Sequence, residues 1–298
     1  MYETILVAVD GSPEADSSVG FAIALAQIGG GTVHALSVTE PTIEPTGLDP
    51  EQAEELRRFS THQSKHETKR ATDRAVAAGV EALAHVDEGI PYRAITGYAD
   101  EVDADLVVVG TRGETPSEDD GVGSTASRVI TLADVPVLAV PHVEASADDH
   151  DDVSIDRVVI PTDGSDAADR AAAVALDLAA SVGATVHVVY VLDRTVYDLE
   201  DAPRSIIGIL REGGQNALAS VEADARERGL SVRTDLRRGI PSAELRRYAA
   251  DVDADLIAMG TRGAGSARAD DRLLGSTTER VLTRTDRPVF TVNPAVIR

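Results

Sequence analysis

The chain contains no cysteine, and that absence alone removes disulfide frameworks, zinc–thiolate and iron–sulfur sites and cysteine nucleophiles from consideration. The folded state must rest on core burial. Positive charge is scarce: 28 Lys and Arg face 51 Asp and Glu, for a formal net charge of −23. A polyanion of this size repels a phosphate backbone and an anionic bilayer alike, which argues against nucleic-acid and membrane-surface roles. Lysine is rarer still, with Lys65 and Lys69 its only examples. This arginine-for-lysine, aspartate-rich balance resembles the halophile type, suited to a salt-filled cytosol. At about 1 M salt the Debye length is about 3 Å, so carboxylate repulsion fades there and returns on dilution. The expectation is salt-dependent folding; equal resistance to urea in dilute buffer and in molar KCl would overturn it.

Long apolar runs are also missing. None approaches the roughly 18 residues that cross a bilayer. The start, MYETILVAVDGS, has neither a basic n-region nor a cleavable h-region, so a cytoplasmic location is expected. What the chain does have is length: 298 residues with 43% hydrophobic content suffice for two domains of ordinary size.

Internal repetition divides it. VAVDGS at 7–12 returns as IPTDGS at 160–165, and TVHALSV at 32–38 returns as TVHVVYV at 185–191. GIP at 89–91 and GTRG at 110–113 return at 239–241 and 260–263, the latter pair preceded by EVDADL and DVDADL. GST at 123–125 returns at 275–277, and DVPVLAVP is echoed by DRPVFTVNP. Two homologous halves are therefore expected, as residues 1–143 and 155–298. Residues 144–154 form an acidic linker too charged to bury anything.

Within each half, short near-continuous runs such as ILVAV at 5–9 and LVVVG at 106–110 suit strands buried on both faces of a parallel sheet. Ser12-Pro13-Glu14 offers an N-cap hydroxyl, a first-turn proline and an acid at the positive end of a helix. The fold class expected is α/β: two tandem doubly wound parallel sheets, each of five strands alternating with four helices. Ligands on such sheets lie beyond the carboxyl ends of the strands, at the switch point.

One loop there carries chemistry. Gly110-Thr-Arg-Gly113 is followed by nine residues and then Gly123-Ser124-Thr125. Glycines let the backbone approach a ligand, and the helix beginning at Ser124 adds open amides, a hydroxyl and a positive dipole end, which together favour an anion. Neither loop holds a Walker lysine.

The glycine spacing, the Asp10-Gly-Ser turn and the series ADLVVVGTRG, GSTASRVI, DVPVLAV resemble the universal stress protein family, and both halves carry the pattern from first strand to last. The resemblance implies a Rossmann-like domain of the adenine-nucleotide alpha-hydrolase type that binds ATP in many members and no nucleotide in others. It also implies dimerisation through the fifth strand, here an intrachain pseudo-dimer of the two halves with a homodimer of chains open, and a role in stress survival. By motif, Ala8, Val9 and Asp10 match the adenosine-contacting segment and Val38 the position whose backbone reads adenine. Val109, Gly110, Arg112, Gly113, Gly123, Ser124 and Thr125 match the phosphate loop. In the second half the matching residues are Pro161, Thr162, Asp163, Val191, Met259, Gly260, Arg262, Gly263, Gly275, Ser276 and Thr277.

Each half departs from the pattern. The first fills its loop with Glu114, Glu118, Asp119 and Asp120, which would face phosphate charge unless Mg²⁺ or potassium intervenes. The second carries Arg268 and Arg272 but has eleven residues between Gly263 and Gly275, so its loop must bulge to close the same cradle.

Structural roles compete with each of these readings. Asp10 and Asp163 are also ordinary turn residues ahead of a serine cap, and Gly110 and Gly260 are also ordinary strand-end glycines. His34 and His187, inside equivalent second strands, read as satisfied core histidines. His62 and His66 read as a solvated helix face rather than a metal clip, and His150 sits in a linker without fixed coordination geometry. No lysine stands beside an acidic pocket for a phosphorelay, and no G-x-G-x-x-G follows the first strand. A nucleotide-binding module, a nucleotide-free interaction scaffold and a slow ATPase follow in that order.

Overall fold

The computed structural model describes residues 2–40, 49–113, 121–142, 153–194, 204–263 and 274–293. The chain forms two compact units, Met1–Val153 and Ser154–Arg298. The first runs β1 (Thr4–Ala8), α1 (Pro13–Gly29), β2 (Thr32–Thr39), α2 (Pro50–Ala77), β3 (Glu81–Glu88), α3 (Pro91–Glu101), β4 (Leu106–Gly110), α4 (Ser124–Leu132) and β5 (Val137–Val140). The second runs β6 (Arg157–Thr162), α5 (Asp166–Val182), β7 (Thr185–Asp193), α6 (Arg204–Glu227), β8 (Val232–Gly239), α7 (Pro241–Asp251), β9 (Leu256–Gly260), α8 (Ser276–Arg284) and β10 (Val289–Val292). The alternation of five strands with four helices is thus present in both.

Within the first unit the parallel strands follow the order β3-β2-β1-β4-β5, and within the second β8-β7-β6-β9-β10. Chain direction across the sheet reverses between β1 and β4, and between β6 and β9, which locates a switch point in each. Right-handed crossovers place α1 and α2 on one face and α3 and α4 on the other. Accordingly α1 packs on α2 and α3 on α4, with α5–α6 and α7–α8 repeating the arrangement.

The uninterrupted apolar runs form the central strands because both faces are covered. Ile5, Leu6, Val7, Leu106, Val107 and Val108 have no solvent exposure, nor do Val158, Val159, Leu256 and Ile257. Each side chain of that size contributes about 1.5–3 kcal/mol when fully buried.

Helix ends are written locally. Ser12 Oγ accepts from Ala15 N at 3.2 Å with Pro13 in the first turn, and Ser165 Oγ accepts from Ala168 N at 3.2 Å. Both helices stop on a left-handed glycine, Gly30 at φ 67° and Gly183 at φ 73°.

The amino ends of the central strands are clamped by one carboxylate in each unit. Asp105 Oδ2 accepts from Glu3 N at 2.7 Å and Thr4 N at 2.9 Å. Asp255 Oδ2 accepts from Asp156 N at 2.9 Å and Arg157 N at 2.8 Å. With that end closed, the carboxyl ends of β1, β4, β6 and β9 carry the loops of interest. Among the described residues no helix is long and apolar enough to cross a membrane. Glu114, Glu118, Asp119, Asp120, Arg268, Arg272 and His150 lie outside the described residues.

Candidate functional site

At each switch point two loops meet. Ala8 ends β1, and Val9 is buried, donating its N–H to Leu36 O at 2.8 Å. Asp10 then turns: its Oδ1 accepts from Ser12 N at 3.0 Å and Ser12 Oγ at 2.6 Å. A β-carbon built on Gly113 would stand 2.7 Å from Asp10 Oδ2, so the carboxylate lies in the space that glycine leaves. The second unit repeats this. Pro161 and Thr162 end β6, Asp163 Oδ1 accepts from Ser165 N at 3.0 Å and Ser165 Oγ at 2.6 Å, and Asp163 Oδ2 fills the space beside Gly263. The residues matched by motif on the first and fourth strands of each half therefore stand side by side. The turn role of the aspartates is real as well.

The other glycines serve close approach. At Gly110 a β-carbon would come within 2.8 Å of Glu14 Cβ, and at Gly260 within 2.8 Å of Arg262 O. A larger residue at either strand end would displace α1 or the loop itself. Val109 and Met259, just ahead of them, are buried, so they can offer a ligand only backbone.

The return limbs close identically. Gly123 N donates to Thr111 O at 2.8 Å and Gly275 N to Thr261 O at 2.8 Å. The loop of eleven residues thus rejoins its strand at the same point as the loop of nine. Gly123 and Gly275 are the N-caps of α4 and α8, with no side-chain cap bond, and Ser124-Thr125 and Ser276-Thr277 form the first helical residues. Open first-turn amides and a positive dipole end therefore point out of the sheet beside the Asp10 and Asp163 turns. Val38 and Val191 lie near the carboxyl ends of β2 and β7, half-buried, one strand over from those turns.

Charge around the two turns is balanced differently. In the first unit Arg70 of α2 pairs with Asp16 and, at 3.1 Å, with Glu67, while Arg74 Nη1 donates to Asp16 O at 2.8 Å. With Val9 and Gly11 these side chains line a small cleft behind the Asp10 turn. In the second unit the position of Asp16 is held by Asp169 and that of Arg74 by Asp224. Partial burial, then the neighbouring Asp166, Asp224 and Asp163, raises the Asp169 carboxyl above its ordinary value. Among the described residues no cluster of three or more His, Asp or Glu side chains could hold a metal ion.

The paired histidines are satisfied by phenols some sixty residues away in sequence. His34 Nδ1 lies 3.1 Å from Tyr98 Oη, and His187 Nδ1 lies 3.0 Å from Tyr248 Oη. His85 stacks on Tyr98 with centroids 4.3 Å apart, whereas the Arg237 guanidinium covers Tyr248 at 4.6 Å. Burial, then His85, lowers the pKa of His34; burial, then Arg233 and Arg157, lowers that of His187. The tyrosine partners were missed from sequence, although each stands three residues before a repeated EVDADL or DVDADL block. The two clamp carboxylates, within those same blocks, were missed too.

Two doubly wound parallel sheets with a glycine loop at each switch point define a tandem doubly wound α/β protein. The family model for the Universal stress protein family matches residues 1–141 and again 154–293, and the chain belongs to that family as a tandem member. A universal stress protein of Methanocaldococcus jannaschii is 37% identical over 139 residues, covering 46% of this chain and 81% of that protein. One from Thermus aquaticus is 34% identical over 140 residues, covering 47% of this chain and 99% of that protein. The crystal structure of a universal stress protein from Archaeoglobus fulgidus superposes with a TM-score of 0.71, covering 97% of this chain and 96% of its own at 21% identity. That likeness bears on the fold.

Proposed function

We propose that this tandem universal stress protein binds an adenine nucleotide, ATP foremost, at the strand-four glycine loop of at least one unit. The observation that carries the reading is the convergence, in both units, of an aspartate turn, a glycine loop and an uncapped helix start at one switch point. The Asp10 or Asp163 carboxylate accepts from ribose hydroxyls. Val38 or Val191 reads the adenine edge through backbone. The amides from Gly110 to Gly113 and from Gly123 to Thr125, or their second-unit equivalents, cradle the phosphates, with Arg112 or Arg262 beside them. A slow ATPase is the third reading, behind nucleotide binding and a nucleotide-free scaffold.

Calorimetric titration with Mg·ATP in about 2 M KCl, where carboxylate repulsion is screened, tests this. One or two sites per chain, lost singly with Gly123→Asp and Gly275→Asp in folded variants, is the expected result. No saturation in a folded protein would overturn it in favour of a nucleotide-free interaction scaffold. The turn hydrogen bonds that already occupy Asp10 Oδ1 and Asp163 Oδ1 favour that second reading.

In either case we propose that the fifth strands VLAV and VFTV, apolar but for Thr291, join the two halves of one chain as a pseudo-dimer, since an open apolar edge invites aggregation. Residues 1–143 and 155–298 produced separately should co-elute. Two monomers would refute the pairing.

A further inference from the structure

In a chain of net charge −23, α2 turns a nearly neutral surface outward: residues 50–77 carry six Lys and Arg, both lysines among them, against five Asp and Glu. Its inner face runs through Ser64, Thr68, Ala71 and Ala75, all buried. The opposite face is a stripe of Phe59, His62, His66, Lys69, Asp73 and Val76, spaced alternately by three and four and exposed at every position. Its two ends are apolar. Phe59 is 66% exposed and Val76 61%, while the chain's other phenylalanines, Phe21 and Phe290, are buried.

That stripe is its own complement. Two copies of α2 laid antiparallel, with a twofold axis between His66 and Lys69, set Phe59 against Val76 of the partner subunit and His62 against the partner's Asp73, each pairing occurring twice. Spacing of three and four is also what keeps a helix seam in contact along its length. At the centre His66 faces the partner's Lys69, and each of these groups brings its own carboxylate. Lys69 Nζ donates to Asp73 Oδ1 at 2.7 Å, and His66 Nδ1 lies 3.3 Å from Glu67 Oε1. The equivalent stripe of α6 lacks the match, since Ile209 stands for Phe59 but Arg226 for Val76. Within the first unit α2 packs on β2 and β3, at the far side of the sheet from β5, so this face leaves the fifth strand free.

We infer that the outer face of α2 is a self-association surface, and that its occupant is α2 of a second copy of this chain, packed antiparallel in a twofold homodimer. One helix pair belongs to the small, concentration-dependent class of interfaces, below about 1,200 Å². The dimer also needs salt: two chains of −23 repel one another in dilute buffer, and screening at about 1 M or more lets the seam close.

The absence of cysteine supplies the test. In the antiparallel seam the two Phe59 positions stand about 25 Å apart along the helices, as do the two Val76 positions, whereas Phe59 faces Val76 of the partner subunit. The full chain is made as Phe59→Cys and as Val76→Cys and mildly oxidised in about 2 M KCl. Neither variant alone should form a disulfide dimer, and their mixture should. Sedimentation equilibrium should show the dimer's dissociation constant raised at least about tenfold by Phe59→Glu/Val76→Glu and unchanged by Ile209→Glu. All three positions are exposed, and circular dichroism checks the fold. A disulfide dimer from Phe59→Cys alone overturns the antiparallel pairing. A chain that stays monomeric at about 1 mM, or a dimer that survives the double change, refutes the surface itself.

Discussion

The two units share a frame and differ in what surrounds it. Their clamps, caps, left-handed stops and histidine–tyrosine pairs coincide position by position, yet Asp16 sits against Arg70 and Arg74 while its equivalent, Asp169, sits against Asp224. The Tyr98 ring carries a titratable imidazole where Tyr248 carries a permanent guanidinium. Arg246 of α7 and Arg284 of α8 stand where the first unit has Thr96 and Leu132. A duplicated sheet thus tolerates a different placement of surface charge so long as buried volume and turn chemistry are kept.

Core packing should break the comparison most severely. Leu176 and its equivalent Ile23 are both buried, and Leu176→Ala should cost the second unit about 2–5 kcal/mol, as should Ile23→Ala the first. Hydrogen exchange should then show the altered unit opening first. Exchange rising equally in both would mean that the units unfold as one.

A smaller effect separates the sequences after the first helix. A β-carbon on Gly31 would meet Tyr2 O at 2.5 Å, whereas the second unit holds Ala184 buried at that point. Gly31→Ala should therefore destabilise by about 1–3 kcal/mol and Ala184→Gly by about 1 kcal/mol or less, read from urea midpoints.

Acidity sharpens what the units share. His34 and His187 have lowered folded pKa values against 6.5 for the free side chain, so the unfolded chain binds more protons in the window below 6.5. Stability is full above that value and lost as pH falls through the window. His34→Phe should flatten this slope in the first unit and His187→Phe in the second; an unchanged slope in the double variant would remove the histidines from the account.

The smallest effect concerns exposed charge. Asp224→Arg, which copies Arg74, should stabilise the second unit by under about 1 kcal/mol and lower the raised Asp169 pKa, followed by NMR titration. Asp169 now favours folding at low pH and loses that contribution as pH rises through its folded value. The variant should shrink that loss.

The strands, helices, caps and switch-point loops were legible because each depends on local pattern: unbroken apolar runs, Ser-Pro-Glu at a helix start, glycine beside a turning aspartate. Long-range partners were not. Nothing near His34 in sequence points to Tyr98, and the spacing of nine against eleven residues says little about where a loop rejoins its strand. The stress protein resemblance supplied the matched site residues. What it could not supply was the charge distribution around them, which depends on helices that the motif does not include.

The clamp at Asp105 also dates the assembly of the first sheet. Thr4 and Asp105 are separated by 101 residues, so at roughly 5–20 residues per second the ribosome makes β1 about 5–20 s before its closing partner. Through that interval the nascent TILVA strand keeps a bare hydrogen-bonding edge, the surface by which neighbouring chains on one messenger would tangle. That edge is closed only when Leu106 to Val108 arrive and pair with Ile5 to Val7.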